Sequence, residues 1–295
     1  MMYYRRKIIL SLLQIFDGEL DKIRLQKLLF LFTQRQKKAE YDFIPYKFGC
    51  YSYSANADLK VMITKGFLQE DDSLLKKVDT SDYLAGLKND DKNVLLEVKR
   101  LYGHMTAEAL MLHTYINYPY WAINSIRARD VLPPVEYDKL DKYKPKVDET
   151  IMFTIGYEGI SLEEYLNRLI KNDIKILIDV RSNPVSMKYG FSKNQLKQYC
   201  QNIGIKYLHF PELGIQSDLR RNLNSQADYN SLFEDYKTNN LKKTTELQKN
   251  VLNILKESNR IALTCFEANI CQCHRKSLSE SIQALPEFNY RIKHI

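Results

Sequence analysis

Cys265, Glu267, Cys271, Cys273, His274 and Arg275 crowd into one short stretch near the end of this 295-residue chain. A thiol at a helix N-terminus, beside an imidazole and a guanidinium, has its thiolate favoured and becomes nucleophilic. Cys273-His274-Arg275 has that form, because a helix is expected from Cys273 to Leu285. Cys265 is the second candidate nucleophile, and His274 and Glu267 are candidate proton carriers. A helix start of this kind also binds phosphate or carboxylate through its free N–H groups. Cys265 equally suits the role of a small buried apolar residue. Cys265, Cys271, Cys273 and His274, with His209, are also suitable donors for zinc. The spacing is poor for that: there is no paired C-x-x-C, and an adjacent Cys-His is badly placed to aim at one tetrahedral ion.

The elements around this stretch alternate strand and helix. Apolar strands are expected at Met152–Ile155, Ile174–Val180, Lys206–Phe210 and Ile261–Phe266, with a short last strand at Tyr290–His294. Between them, Ser161-Leu162-Glu163-Glu164 and Ser192-Lys193-Asn194-Gln195 read as capping boxes that open helices. A long helical region covers Tyr229–Glu257. This alternation predicts an α/β domain, a mostly parallel sheet with helices on both faces in rhodanese- or flavodoxin-like layering. Ligands of such sheets sit beyond the strand C-termini. Those ends carry Tyr157, Asp179, Arg181, His209 and Cys265. Arg181 and Arg275 are expected to hold an anion, with Asp179 orienting Arg181. In the loop Pro184 to Ser192, led by Asn183, Ser186, Lys188 and Tyr189 are placed to contact an anionic ligand and Gly190 permits close backbone approach. Tyr157 at the first strand end is a further anion-binding candidate, and the same loop equally suits a passive connection.

Residues 1–130 read as mainly helical. Ile8, Ile9, Leu12, Leu13 and Phe16 repeat at helical spacing, and Asp21 can cap a second helix. A third helix from Asn56 to Lys65 stops at Gly66. Strands at Phe67-Leu68 and Leu74–Val78 flank Asp71-Asp72-Ser73, the element order of a winged helix. Helices are expected at Asp91–Tyr102 and Thr106–Asn117. Pro133, Pro134 and Pro145 among charged residues predict a linker over 131–150, and the α/β domain then runs from 151 to 295.

The formal net charge is +8 and the hydrophobic fraction 44%. Residues 1–150 hold 24 basic and 21 acidic residues, and residues 151–295 hold 20 and 15, so neither half is a dedicated basic arm. The excess favours contact with polyanions such as nucleic acid. Five cysteines in a chain of this length argue for reduced thiols rather than a disulfide framework. No stretch approaches the roughly 18–20 uninterrupted apolar residues that span a bilayer. The basic N-terminus reads as an amphipathic helix of a mature cytoplasmic protein, with no membrane partner.

TIGYEG at 154–159, LIDVRSNPVS at 177–186, GFSKNQL at 190–196, GIKYLHFPELG at 204–214 and ALTCFEANICQCHR at 262–275 together resemble the family of domain of unknown function 488. The resemblance implies a compact α/β domain. Its signature residues are Asp179, Arg181, Pro184, Ser186, Cys265, Glu267, Cys273, His274 and Arg275. It implies no particular reaction. Met187 departs from the basic residue that many relatives carry after this serine. A more distant likeness, to rhodanese and Cys-dependent phosphatase domains, lies in the Asp-x-Arg strand end and the strand ending in Cys; their glycine-rich tight loop is missing here. RLQKLLFLF at 24–32, FIPYKFGCYS at 43–52 and GFL at 66–68 resemble small antitoxin-like and winged-helix domains, with Cys50 in place of a proline. That likeness implies a module that binds nucleic acid or protein, although Arg24 and Lys27 equally suit a solvated helix face.

The preferred expectation is therefore an enzyme acting on a nucleotide or nucleic-acid group through Cys/His/Arg chemistry. Two alternatives stay open: a regulator that senses a small anionic ligand, and a zinc-stabilised interaction protein.

Overall fold

The computed structural model describes residues 2–145, 149–220, 223 and 225–295. The chain forms two compact units, Met1–Lys144 and Pro145–Ile295.

In the first unit, α1 (Tyr4–Ile15) leads through a turn at Asp17 and Gly18 into β1 (Glu19–Asp21). The Asp21 side chain caps α2 (Lys22–Thr33) by accepting from the Arg24 N–H. The hairpin β2 (Ile44–Tyr46) and β3 (Gly49–Tyr51) follows, which the sequence reading did not anticipate. Then come α3 (Tyr53–Thr64), β4 (Leu68–Asp71), β5 (Leu74–Lys77), α4 (Asn89–Tyr102) and α5 (Ala107–Asn117). Gly66 ends α3 in the left-handed region, at φ +74°. The β4–β5 hairpin pairs through β5 with β1, giving an antiparallel sheet in the order β1-β5-β4. Lys27 does not lie on a solvated face. It is buried, and its ammonium donates to the Phe48 carbonyl and lies 3.3 Å from the Cys50 sulfur.

The proline-bearing stretch from 131 is largely helical. Short helices α6 (Ala128–Val131) and α7 (Pro134–Lys139) precede a 3-10 turn at Leu140–Tyr143. Leu132 and Leu140 are buried against Met111 and Tyr115. Pro134 occupies the first turn of α7, where its missing N–H costs nothing, so here proline starts a helix. Residues 146–148 of the expected linker lie outside the described residues.

The second unit runs β6 (Ile151–Gly156), α8 (Leu162–Lys171), β7 (Ile176–Asp179), α9 (Lys193–Asn202), β8 (Lys206–His209), α10 (Gln226–Asp235), a π-helical turn (Tyr236–Leu241), α11 (Thr245–Ser258), β9 (Arg260–Cys265), α12 (Arg275–Gln283) and β10 (Arg291–His294). All strand pairs are parallel, in the order β10-β6-β9-β7-β8. Every strand C-terminus therefore lies at one edge of the sheet.

Alternation along the strands separates two faces. Ile176, Ile178, Ile261 and Leu263 share a core with Val251, Leu252 and Leu255 of α11 and Leu278 and Ile282 of α12. Leu177, Asp179, Ala262 and Thr264 are buried on the opposite face. There Tyr165 of α8 donates to the Thr264 hydroxyl at 2.7 Å. Helices cover both faces, as the strand–helix alternation predicts.

Two expected caps differ in outcome. Ser161 caps α8 by accepting from the Glu164 N–H. Ser192 makes no cap bond to α9. Its hydroxyl donates to the Ser186 carbonyl and accepts from the Ser186 N–H, which pinches the loop after β7 shut. A longer-range partner has outcompeted the local one. The long helix expected over Tyr229–Glu257 is divided by the π-helical turn.

Candidate functional site at the strand C-termini

Asp179 is the last residue of β7 and is fully buried. Its carboxylate accepts from the Arg181 backbone N–H (3.1 Å), from Arg181 Nε (2.9 Å) and Nη2, and from the Tyr207 hydroxyl of β8 (2.6 Å). Arg181 Nη1 donates to the Tyr157 hydroxyl (2.7 Å) and to the Phe191 carbonyl (2.9 Å). Burial disfavours the guanidinium charge, and the hydrogen-bonded Asp179 carboxylate more than restores it, so the Arg181 pKa lies above its ordinary value. The Tyr157 ring stacks on Phe191 at 4.2 Å between centroids. Lys188 donates to the Tyr157 carbonyl at 2.6 Å, and burial pulls its pKa below the usual lysine range. His209 is held between Lys193, 3.0 Å from Nδ1, and the Arg181 carbonyl, 2.9 Å from Nε2. It takes no part in the sulfur cluster.

That cluster lies where β9 ends. The Cys265 thiol donates to Glu267 Oε2 (3.2 Å), and its sulfur is 3.7 Å from His274 Nδ1. His274 Nε2 donates to the Val180 carbonyl at 3.1 Å, which turns Nδ1 towards the sulfurs. Arg275 Nε donates to Cys273 Sγ at 3.0 Å, and Nη2 donates to the Glu267 carbonyl. The donor atoms of Cys265, Cys273 and His274 all lie within 4.8 Å of one another, and all three residues are buried. Cys271 is exposed and stands apart. The adjacent Cys273 and His274 do converge, contrary to the spacing argument. Cys273 is extended while His274 begins the helical turn, and this change of backbone direction lets both side chains face Cys265.

Helix α12 starts at Arg275, so Cys273 precedes its cap and does not occupy the helix N-terminus. Its acidity has another source. Burial pushes the Cys273 thiol up, but hydrogen bonds with Cys265 and His274 and the charges of His274 and Arg275 hold it well below the ordinary thiol range.

A cleft of about 390 Å³ opens over this edge. Arg181, Ser186, Cys265, Glu267 and His274 line it, with Tyr157. Val185, Met187 and Phe266 add exposed apolar surface around it. Cys273 is fully buried, and Cys265 is the cysteine among the lining residues. Arg275, expected to hold an anion, is only 2% exposed and spends its guanidinium on Cys273 and Glu267. Asp179 lies beneath Arg181, and Lys188 reaches back to the Tyr157 backbone.

Tyr207, Phe191 and the Val180 carbonyl escaped the sequence reading. Tyr207 had a signal available: it lies two residues before His209 and so shares a strand face with it, in the register that puts His209 beside Asp179.

Fold and site together define a parallel α/β domain with a polar and sulfur-rich cluster beyond its strand C-termini. Residues 161–282 match the family model described as Domain of unknown function DUF488, and this unit is a DUF488 domain. No curated protein matches the chain.

Proposed function

We propose that the C-terminal unit is an enzyme acting on a nucleotide or nucleic-acid group bound in this cleft. The carrying observation is that Cys265, Glu267 and His274 from one chain segment and Arg181 from another line one cavity, with the His274 ring locked by the Val180 carbonyl. A polar floor under an apolar rim of Val185, Met187 and Phe266 suits a ligand with a charged end and a flat apolar ring. Ser186 binds the anion within the field of the buried Arg181 guanidinium, and Glu267 exchanges protons with the ligand. For the N-terminal unit we propose a macromolecule-binding module. The tip of its β4–β5 hairpin is acidic, with Glu70, Asp71 and Asp72 exposed, which favours a protein over a phosphate backbone there.

The test is calorimetry with inorganic phosphate, AMP and ATP at low salt, followed by chromatography of the incubated nucleotides. Saturable binding and conversion are expected, with Glu267→Gln slowing conversion by about 10²–10⁴-fold, the usual weight of a general acid–base. Absence of saturable binding by all three probes overturns the reading. Binding without conversion removes its enzymatic half and leaves a ligand sensor.

A further inference from the structure

We infer that Cys265, Cys273 and His274 form a zinc site whose fourth position opens into the cleft. Tetrahedral zinc, with bonds of roughly 2.0–2.3 Å, keeps its nitrogen and sulfur donors about 3.4–3.8 Å apart. Cys265 Sγ and His274 Nδ1 are already 3.7 Å apart, and no donor pair of the three exceeds 4.8 Å. Closing the set around an ion requires a contraction of about 1 Å or less.

The surroundings are arranged as metal ligands require. A ligating histidine donates its other ring N–H to a carbonyl or carboxylate, which fixes the tautomer and aims the free lone pair. His274 does this through the Val180 carbonyl, on the neighbouring strand end. A ligating cysteine is a thiolate supported by N–H donors, and Cys273 receives the Arg275 Nε at 3.0 Å. Two soft sulfurs with one imidazole select zinc over magnesium or calcium, which take oxygen donors. Cys265 and His274 are the ligands that line the cleft, with Cys273 buried behind them, so the remaining coordination position points towards bound ligand. Glu267, whose carboxylate lies 3.2 Å from Cys265 Sγ, stands where it can accept a proton from a water in that position. The metal itself rests on the donor geometry; the role of the open position rests on the enzymatic reading above.

The experiment is elemental analysis of the full-length protein purified without chelator, with cobalt substitution as the spectroscopic probe. One zinc per chain is expected, and Co²⁺ should give a thiolate-to-cobalt charge-transfer band. Cys265→Ser, Cys273→Ser and His274→Gln should each weaken zinc, measured against a chromophoric chelator, beyond the roughly 10–100-fold that loss of a supporting hydrogen bond costs. Cys271→Ser should leave it unchanged. In case a ligand variant fails to fold, alkylation of the wild-type protein gives a second readout. Cys271 should label at once, and Cys265 and Cys273 only after a chelator is added. Folded protein with substoichiometric zinc, no cobalt band and chelator-independent labelling of Cys265 overturns the site. Glu267-dependent conversion of nucleotide by such metal-free protein leaves the enzymatic reading standing without the metal. Stoichiometric zinc with no binding of phosphate, AMP or ATP keeps the site and removes the enzymatic reading.

Discussion

Asp179 and Arg181 are two residues apart, yet their pairing depends on residues far along the chain. Tyr207 completes the carboxylate's partners from β8, and Tyr157 and Phe191 take the outer face of the guanidinium. Two buried opposite charges offset their desolvation only when the remaining donors and acceptors are satisfied. Removing one charge leaves the other buried and uncompensated. Asp179→Asn should therefore lower stability by about 3–5 kcal/mol. Tyr207→Phe removes one hydrogen bond and should cost only about 1–3 kcal/mol, because an acceptor retains other donors. Denaturant midpoints of the two variants check this. Equal, small losses would mean that the pair is solvated in solution.

At the scale of elements, the site depends on how closely the loop after β9 lies against β6. Tyr157 and Glu158 N–H groups both donate to the Phe266 carbonyl, which seats that loop on the end of β6. Gly156 makes the approach possible. A Cβ built there would stand 2.0 Å from the Glu267 carbonyl oxygen and 2.9 Å from Arg275 Nη2. The obstruction is backbone, so the loop itself has to move. Gly156→Ala should cost about 1–3 kcal/mol, as overpacking does, and should weaken ligand or metal binding at Cys265 and Glu267. Gly204 is the control. It has φ +79° but open space around its Cβ position. Gly204→Ala should cost about 1–2 kcal/mol of backbone strain and leave binding unchanged. Thermal melts combined with the binding assays separate the two. Unchanged binding in Gly156→Ala would show that the loop position does not matter to the site.

For the whole molecule, no helix among the described residues is long and apolar enough to cross a membrane. The two units bury many tyrosines, and this sets the alkaline limit of stability. Burial raises the Tyr115 phenol to about 12 and pushes Tyr41, Tyr165 and Tyr207 up as well. In the unfolded chain these groups ionise near pH 10. The folded state keeps its protons longer, so their contribution is full below about pH 10 and is lost as pH rises towards the folded values. Lys188 works the other way, because its lowered pKa makes the unfolded chain the better proton binder between its folded value and the usual lysine range. A single lysine does not offset four phenols. Denaturant midpoints should hold steady up to about pH 10 and then fall, with phenolate absorbance appearing together with unfolding. Phenolate formation near pH 10 in protein that remains folded would contradict this.

Much of the C-terminal unit was written in local pattern. Strand and helix alternated in the apolar spacing, and Ser161 marked a helix start through its side-chain cap, as Asp21 did in the first unit, where Gly66 ended α3 through its backbone freedom. The same reading gathered Asp179, Arg181, Cys265 and His274 at one sheet edge, because strand ends of a parallel sheet share a side whatever the order of the strands. Which way each side chain turned was not local information. Ser192 chose the Ser186 backbone over its own helix, Arg275 turned inward to a sulfur, and Cys265 rather than Cys273 came to border the cleft. Those outcomes depend on β9 lying between β6 and β7, which brings the Val180 carbonyl to His274 and the loop after β9 against Gly156. Distances between residues a hundred positions apart are set by strand order and loop packing, and only the tertiary structure decides them.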